Sequence, residues 1–385
     1  MISKVFILGN HIQALGLVRQ VNKLKIPVYL FIQSHASLAK YSNSVKKTYF
    51  FKSTSQLLEK IHSLSGDSRE TLLFPTNDEM VYFLRNNYNL LSKSFYVGIP
   101  IPDIVDIFYN KRFTYKFAEN HKIPYPKSWF PESLDDIISI GRTLEYPVIL
   151  KPAVMYLFHK TFGKKAIKCV NVEDLIEKAR CISHEMPISD IIIQEFIDGG
   201  AKNLYSYGTY SFDGKPVAAL MANRIRQNPM DFGNSTTFAI TCNVPEIKKY
   251  AEKILGLLHY SGLAEIEFMY DEKISQFKFL EVNTRAWKWH TISNPLGFSF
   301  LGELINHENK TDMKGTLNFN NKVAWVDRFT DFSVVAKEII KREMTLPEVL
   351  NSYKIRKEYA VWSKKDIIPF FMYLILSPYL YFKRY

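Results

Sequence analysis

"FLEVNTRAW", Phe279 to Trp287, opens as an apolar strand and closes by presenting Glu281, Asn283 and Arg285 at alternate positions. Residues two apart on a strand point to the same face. A carboxylate, an amide and a guanidinium therefore converge on one spot, a combination that suits a metal ion and a phosphate.

The neighbouring segments extend this pattern. "GLAEIEFMYD", Gly262 to Asp271, reads as the adjacent strand and carries Glu265 and Glu267 on one face, after a helix from about Pro245 to His259. Before it, "NLYSYGTYSFDGKPVAALMANRIRQ" reads as antiparallel strands turned at Asp213-Gly214, a dipeptide suited to a tight hairpin. Arg224 and Arg226 sit two apart on the second of these strands, so both are expected to face the cleft. "DIIIQEFIDGG" is an apolar strand running through Gln194, Glu195, Phe196 and Ile197 to a double-glycine turn. "YPVILKPA" is a short buried strand bounded by prolines, whose last polar residue is Lys151. A lysine at the end of an apolar strand needs an anionic partner. "MYLFHKTFGKKAIKCV" reads as a hairpin turned at Gly163; its Lys160, Lys164 and Lys165 suit either a polyphosphate cover or a solvated basic surface.

The opening "KVFILGNHIQALGLVRQVNKLKIPVYLF" reads as strand, glycine turn, amphipathic helix and second strand, a β-α-β unit of the doubly wound type. Gly9 and Gly16 do not complete a dinucleotide fingerprint, and no acidic residue ends the second strand, so a Rossmann-like layer without NAD is expected. "TLLFPTNDEMVYFLRNN" places Asn77, Asp78 and Glu79 at a strand-to-helix junction, either as a helix cap or as part of a substrate-facing cleft. No internal repeat stands out.

The chain has 385 residues, 47% of them apolar, a formal charge of +12 and three cysteines. Cys169, Cys181 and Cys242 lack close metal-ligand spacing and cannot all pair, which fits a reducing, cytoplasmic setting. The start "MISKVFILGN" lacks a signal-peptide pattern. The positive charge suits an anionic substrate or membrane surface; no nucleic-acid partner is expected, because no recognition motif accompanies it.

"NKRFTYKFAENHKIPYP", "YPVILKP", "IIIQEFIDGG", "NRIRQNP", "LAEIEFMYD" and "FLEVNTRAW" follow one another across residues 110–287. In these motifs and their order the chain resembles the ATP-grasp superfamily, in particular the carboxylate–amine ligases related to D-aspartate ligase. The resemblance implies an α/β chain with an ATP-grasp fold behind a Rossmann-like domain. It divides the chain into that domain (1–105), a central lid subdomain with α+β character (106–195), a C-terminal ATP-grasp subdomain (196–345) and a tail (346–385). It implies ATP and Mg²⁺, with Mn²⁺ as a substitute, and small-molecule carboxylate and amine substrates joined through an acylphosphate. Lys111 and Lys151 match the family's two phosphate-contacting lysines, and Lys165 of the basic hairpin is a further candidate ATP contact. Glu195, Phe196 and Ile197 match the adenine hinge, and Asn203 and Tyr205 are the nearest candidates for the ribose.

Glu267, Glu281 and Asn283 offer the hard oxygens Mg²⁺ accepts, with Glu265 as an alternative ligand. Arg224, Arg226 and Arg285 match cations that act on the transferring phosphate or the substrate carboxylate. His290 is either a substrate contact or a histidine without catalytic duty. Thr284 departs from the family by standing where proline is common. Two rival functions stay open: phosphorylation of an alcohol, and nucleotide binding without turnover.

In the tail, "DIIPFFMYLILSPYLYFKRY" is apolar from Ile367 to Phe382 except for Ser377, and is interrupted by Pro369 and Pro378. It falls short of the ~20 residues that span a bilayer. With Lys364, Lys365, Lys383 and Arg384 at its ends it suits the headgroup level of an anionic membrane, at the inner face of the cytoplasmic membrane, or a helix docked on this chain or on a homodimer partner. Such tails in relatives suggest work on cell-envelope precursors.

Overall fold

The structure, a computed structural model, describes the whole chain except residues 67–68, 155–165, 231–232, 234, 318 and 383–385, and the side chains of 378–382. Three sheets make up the molecule. The first is parallel, in the order β3-β2-β1-β4-β5, from Lys4–Leu8 (β1), Val28–Ile32 (β2), Lys47–Phe50 (β3), Thr71–Pro75 (β4) and Tyr96–Val97 (β5). Its central strands are apolar along their length because helices cover both faces. The first crossover is the helix Ile12–Asn22. There Gly16 serves close packing: a Cβ at this position would lie 2.5 Å from Thr291 Cγ2 and 2.8 Å from the His290 ring.

The second sheet is antiparallel, in the order β6-β9-β7-β8, from Ser128–Trp129 (β6), Val148–Pro152 (β7), Ile167–Cys169 (β8) and Ile191–Glu195 (β9). Val148, Leu150, Ile191 and Ile193 pack under helices Leu134–Gly141 and Val172–Ser183. The twofold alternation of a strand then sends Lys151 and Gln194 to the opposite face. The expected hairpin at Gly163, with Lys160, Lys164 and Lys165, lies outside the described residues.

The third sheet has seven strands in the order β14-β13-β10-β11-β12-β15-β16. They are Leu204–Phe212 (β10), Lys215–Asn228 (β11), Ser235–Cys242 (β12), Gly262–Asp271 (β13), Gln276–Asn283 (β14), Ala324–Val326 (β15) and Lys357–Tyr359 (β16). The β10–β11 hairpin turns at Asp213 (φ 46°) and Gly214 (φ 74°), the paired left-handed geometry that this dipeptide favours. Helix Pro245–Leu257 covers one face of the sheet through Ile247, Ala251 and Ile254. The other face meets the N-terminal layer and helix Phe300–Asn309 around Trp287, Trp289 and Leu220.

The tail is more integrated than its composition suggests. β16 pairs with β15 inside the main sheet, and helix Ile368–Phe382 packs on the core through Tyr373. Among the described residues no helix is long and apolar enough to cross a membrane.

Candidate functional site

The site forms where the ends of β13 and β14 meet the other two layers. On this ladder Glu265 stands opposite Asn283 and Glu267 opposite Glu281, but the next pair is Phe268 with Phe279. The register slips by one residue at Leu280. This bulge reverses the alternation: Phe279 stays in the core beneath helix 245–257, while Glu281 turns to the face that carries Glu267.

Arg224 reaches this face from β11 by crossing β10, where the residues opposite Glu267 and Glu265 are Ser206 and Gly208. Its Nη2 donates to Glu265 Oε1 at 2.7 Å and to Glu267 Oε1 at 2.5 Å. Burial opposes the Arg224 charge, but the two carboxylates outweigh it and hold its pKa above the ordinary value. Asn283 Nδ2 donates to Glu267 at 2.8 Å and to Glu265 at 3.1 Å, and Trp289 Nε1 donates to Glu265 at 3.0 Å.

The two lysines differ in electrostatic state. Lys111, at the start of helix Lys111–Asn120, donates to Glu281 Oε2 at 2.5 Å. Burial disfavours its charge, yet Glu281 more than compensates and its pKa is raised. Lys151 donates to two neutral oxygens, Tyr115 Oη at 2.6 Å and Gln194 Oε1 at 2.7 Å. Burial and then the neighbouring Lys111 charge, only partly offset by Glu281, push its pKa well down. A buried lysine held by neutral acceptors is a place where a bound anion restores the charge.

The N-terminal layer contributes Asp78. Arg285 Nε donates to Asp78 Oδ1 at 2.7 Å and its Nη2 to Asp78 Oδ2 at 3.1 Å, while the same Nη2 reaches Asn283 Oδ1 at 3.1 Å. Burial works against the Arg285 charge, but Asp78 raises its pKa overall. Asn77 caps helix Asp78–Asn86 by accepting from Met80 N at 3.0 Å, and Glu79 Oε1 accepts from Gln33 at 3.1 Å. The two expectations for this junction thus coexist: Asn77 is the cap and Asp78 faces the cleft. Glu79, Tyr82 and Tyr109 line a groove of about 330 Å³ between helices Thr54–His62 and Asp78–Asn86. Glu79 follows Asp78, and Tyr109 precedes Lys111 by two residues.

The other expected residues have partners of their own. Arg226 does not join the glutamate cluster. It is 2% exposed, makes a paired contact to Asp331 at 2.8 Å through Nε and Nη2, and lies 4.0 Å from the Phe238 ring centroid. The strand is irregular between Asn223 and Arg226, and helix Arg328–Ile340 supplies Asp331 to this side of it. Glu195 accepts from Lys278 at 2.5 Å and from Lys127 N at 2.8 Å, tying the second sheet to the third. Phe196 lies under Lys168 Nζ at 3.9 Å from its ring centroid, and Ile197 is half-buried. Asn203 is buried and donates to Glu272 at 3.0 Å. His290 is 1% exposed, with Nδ1 bonded to Trp287 O at 2.8 Å; it packs against Gly16 at the layer interface. Lys165 lies outside the described residues. Sequence reasoning missed Tyr115, Trp289 and Lys278; Lys278 was accessible as a charged residue inside an apolar strand, the others were not.

Residues 233–298, which contain both glutamate positions of β13 and the end of β14, match the family described as carbamoyl-phosphate synthase L chain, ATP binding domain. The chain is 27% identical over 194 residues to the C-terminal section of the carbamoyl phosphate synthase large chain of Methanopyrus kandleri, covering 48% of this chain and 34% of that one. It is 24% identical over 235 residues to D-aspartate ligase of Enterococcus faecium, covering 57% and 54%. The chain thus spans about half or less of the curated relatives it matches.

Among solved structures, N5-carboxyaminoimidazole synthetase from Staphylococcus aureus, complexed with ADP, aligns with TM-score 0.66 at 14% identity, over 83% of this chain and 80% of that one. The biotin carboxylase domain dimer of Hydrogenobacter thermophilus 2-oxoglutarate carboxylase, in complex with MgADP, ADP and bicarbonate, aligns with TM-score 0.64 at 15% identity, over 82% and 73%. The sheet order and these likenesses agree: this chain has the ATP-grasp, biotin-carboxylase-like fold.

Proposed function

We propose that this chain is an ATP- and Mg²⁺-dependent carboxylate–amine ligase. The carrying observation is Lys151, a buried lysine bonded to neutral oxygens, close enough to Lys111 and Glu281 for their charges to shift it. Polyphosphate chemistry fits a lysine whose charge a bound anion restores, and the nucleotide-bound solved structures and the D-aspartate ligase match support the same reading. Phosphoryl transfer needs positioned cations more than a protein nucleophile. In this reading the γ-phosphoryl group passes to a carboxylate oxygen, and an amine then attacks the acyl carbon and expels phosphate.

Glu267, Glu281 and Asn283 provide the hard oxygens for Mg²⁺, or Mn²⁺ in its place, which when bound neutralises phosphate charge. Lys151 and Lys111 hold the phosphates. Arg224 keeps Nε buried without a partner among the described residues, a donor available to a substrate carboxylate. Arg285, fixed in orientation by Asp78, faces the transferring group. The groove beside Glu79 and Tyr109 takes the amine: a carboxylate and the stacked Tyr82–Tyr109 pair suit an ammonium. A homodimer, as in the biotin carboxylase domain structure, belongs to this reading, and cell-envelope precursors are its first substrates to try.

A hydroxylamine trap tests it. Purified protein, MgATP and pooled amino acids, uronic acids and envelope precursors should yield a hydroxamate that Glu281→Ala abolishes. A stable phosphorylated alcohol, or no product from protein that binds ATP, contradicts the ligase reading.

A further inference from the structure

The helix Ile368–Phe382 docks with one face and leaves the other uncovered. On the docked side Phe370 and Tyr373 pack against Phe329, with ring centroids 6.0 and 4.9 Å apart, and Tyr373 Oη donates to Asp327 at 3.2 Å. The preceding turn is pinned where Asp366 accepts from Arg19 Nε at 2.8 Å and from Ser42 Oγ at 2.6 Å. The outer stripe recurs every three or four residues through Ile368, Phe371 and Ile375, which are 54%, 52% and 67% exposed, with Leu374 beside them. Lys364 and Lys365 are exposed just before the helix, and the sequence continues after it with Lys383 and Arg384.

We propose that this stripe is a docking surface for an anionic lipid bilayer. Fifteen residues of helix extend about 22 Å, short of the roughly 30 Å hydrocarbon core, so the helix lies along the surface and does not cross it. The charge distribution distinguishes a bilayer from a second copy of this chain. Parallel pairing of two such helices would set Lys364 and Lys365 against themselves, and in antiparallel pairing the helix offers no acidic residue to meet them. Anionic headgroups neutralise Lys364 and Lys365 while the acyl boundary covers the apolar stripe. The chain's formal charge of +12 favours the same approach. This inference does not depend on the ligase reading, because none of the contacts that hold the stripe outward involves Lys151 or Glu281.

Co-sedimentation of the full chain with vesicles tests it. Protein should pellet with mixed phosphatidylglycerol–phosphatidylcholine vesicles, only weakly with pure phosphatidylcholine, and less as salt rises. Lys364→Ala with Lys365→Ala should lower the partition coefficient by at least about tenfold. Phe371→Ser with Ile375→Ser should do the same while leaving the melting temperature unchanged, since neither side chain is in the docked face. Failure of the folded chain to pellet with anionic vesicles, equal binding to neutral ones, or undiminished binding by these variants overturns the proposal. So does a change from dimer to monomer in the Phe371 and Ile375 variant without any vesicle binding, which would assign the stripe to a second copy.

Discussion

Arg224 and Arg226 stand two residues apart on one strand and look interchangeable in the sequence, yet they have different surroundings. Arg224 meets Glu265 and Glu267 at the candidate site, whereas Arg226 is locked in a paired contact with Asp331 beneath Phe238. The difference arises from a strand irregularity and from a helix more than one hundred residues later, neither of which local spacing encodes. His290 shows the same limit. A histidine directly after a tryptophan can face substrate or core; here it is sealed against Gly16, and burial lowers its pKa to about 4. The unfolded chain binds this proton near 6.5 and the folded chain only near 4, so His290 contributes stability that is fully present above pH 6.5 and lost as pH falls through 4. Between urea unfolding at pH 7 and at pH 4, roughly 3 kcal/mol of the stability lost should trace to this residue. A His290→Gln variant should show a correspondingly shallower decline.

Among the elements, the β10–β11 hairpin and the β13–β14 pair were legible because apolar alternation, an Asp-Gly turn and charged strand ends all agree. The bulge at Leu280 was not, because an extra residue leaves no local chemical mark, although it decides that Glu281 and Phe279 face opposite sides. β16 was also hidden: three residues gain strand structure only by pairing with β15. Gly208 gives this level a test. It lies on the middle strand between Arg224 and Glu265, and a Cβ there would come within 2.2 Å of Trp287 Cζ2. Gly208→Ala should cost about 1–3 kcal/mol of stability through overpacking, read from the urea midpoint. It should also weaken activity, since Trp287 neighbours the Trp289 that holds Glu265.

At the scale of the whole molecule, the candidate site exists only where the three layers meet. Lys151 comes from the second sheet, Glu267 and Glu281 from the third, and Asp78 from the first. The resemblance drawn from six ordered motifs anticipated this fold, and the strand pattern anticipated that the third-sheet carboxylates share a face, because those residues lie close in sequence. It could not supply the cross-layer contacts, Asp78 to Arg285 and Lys278 to Glu195, which join residues far apart in the chain. The shared origin of the site makes its central claim measurable without knowledge of the substrate. A phosphate beside Lys151 should restore the charge that burial suppresses. Binding should therefore take up a proton at pH values between the depressed pKa of the empty site and the ordinary lysine value, with affinity falling as pH rises through that window. The decisive measurement is calorimetric titration with a non-hydrolysable ATP analogue and Mg²⁺, in buffers of different ionisation enthalpy, for the intact chain and Lys151→Met. The account predicts Mg²⁺-dependent binding with proton uptake in that window, and an affinity about 10- to 100-fold lower without uptake in the variant. Equal affinity in the two folded proteins, or no binding to the intact one, would contradict it.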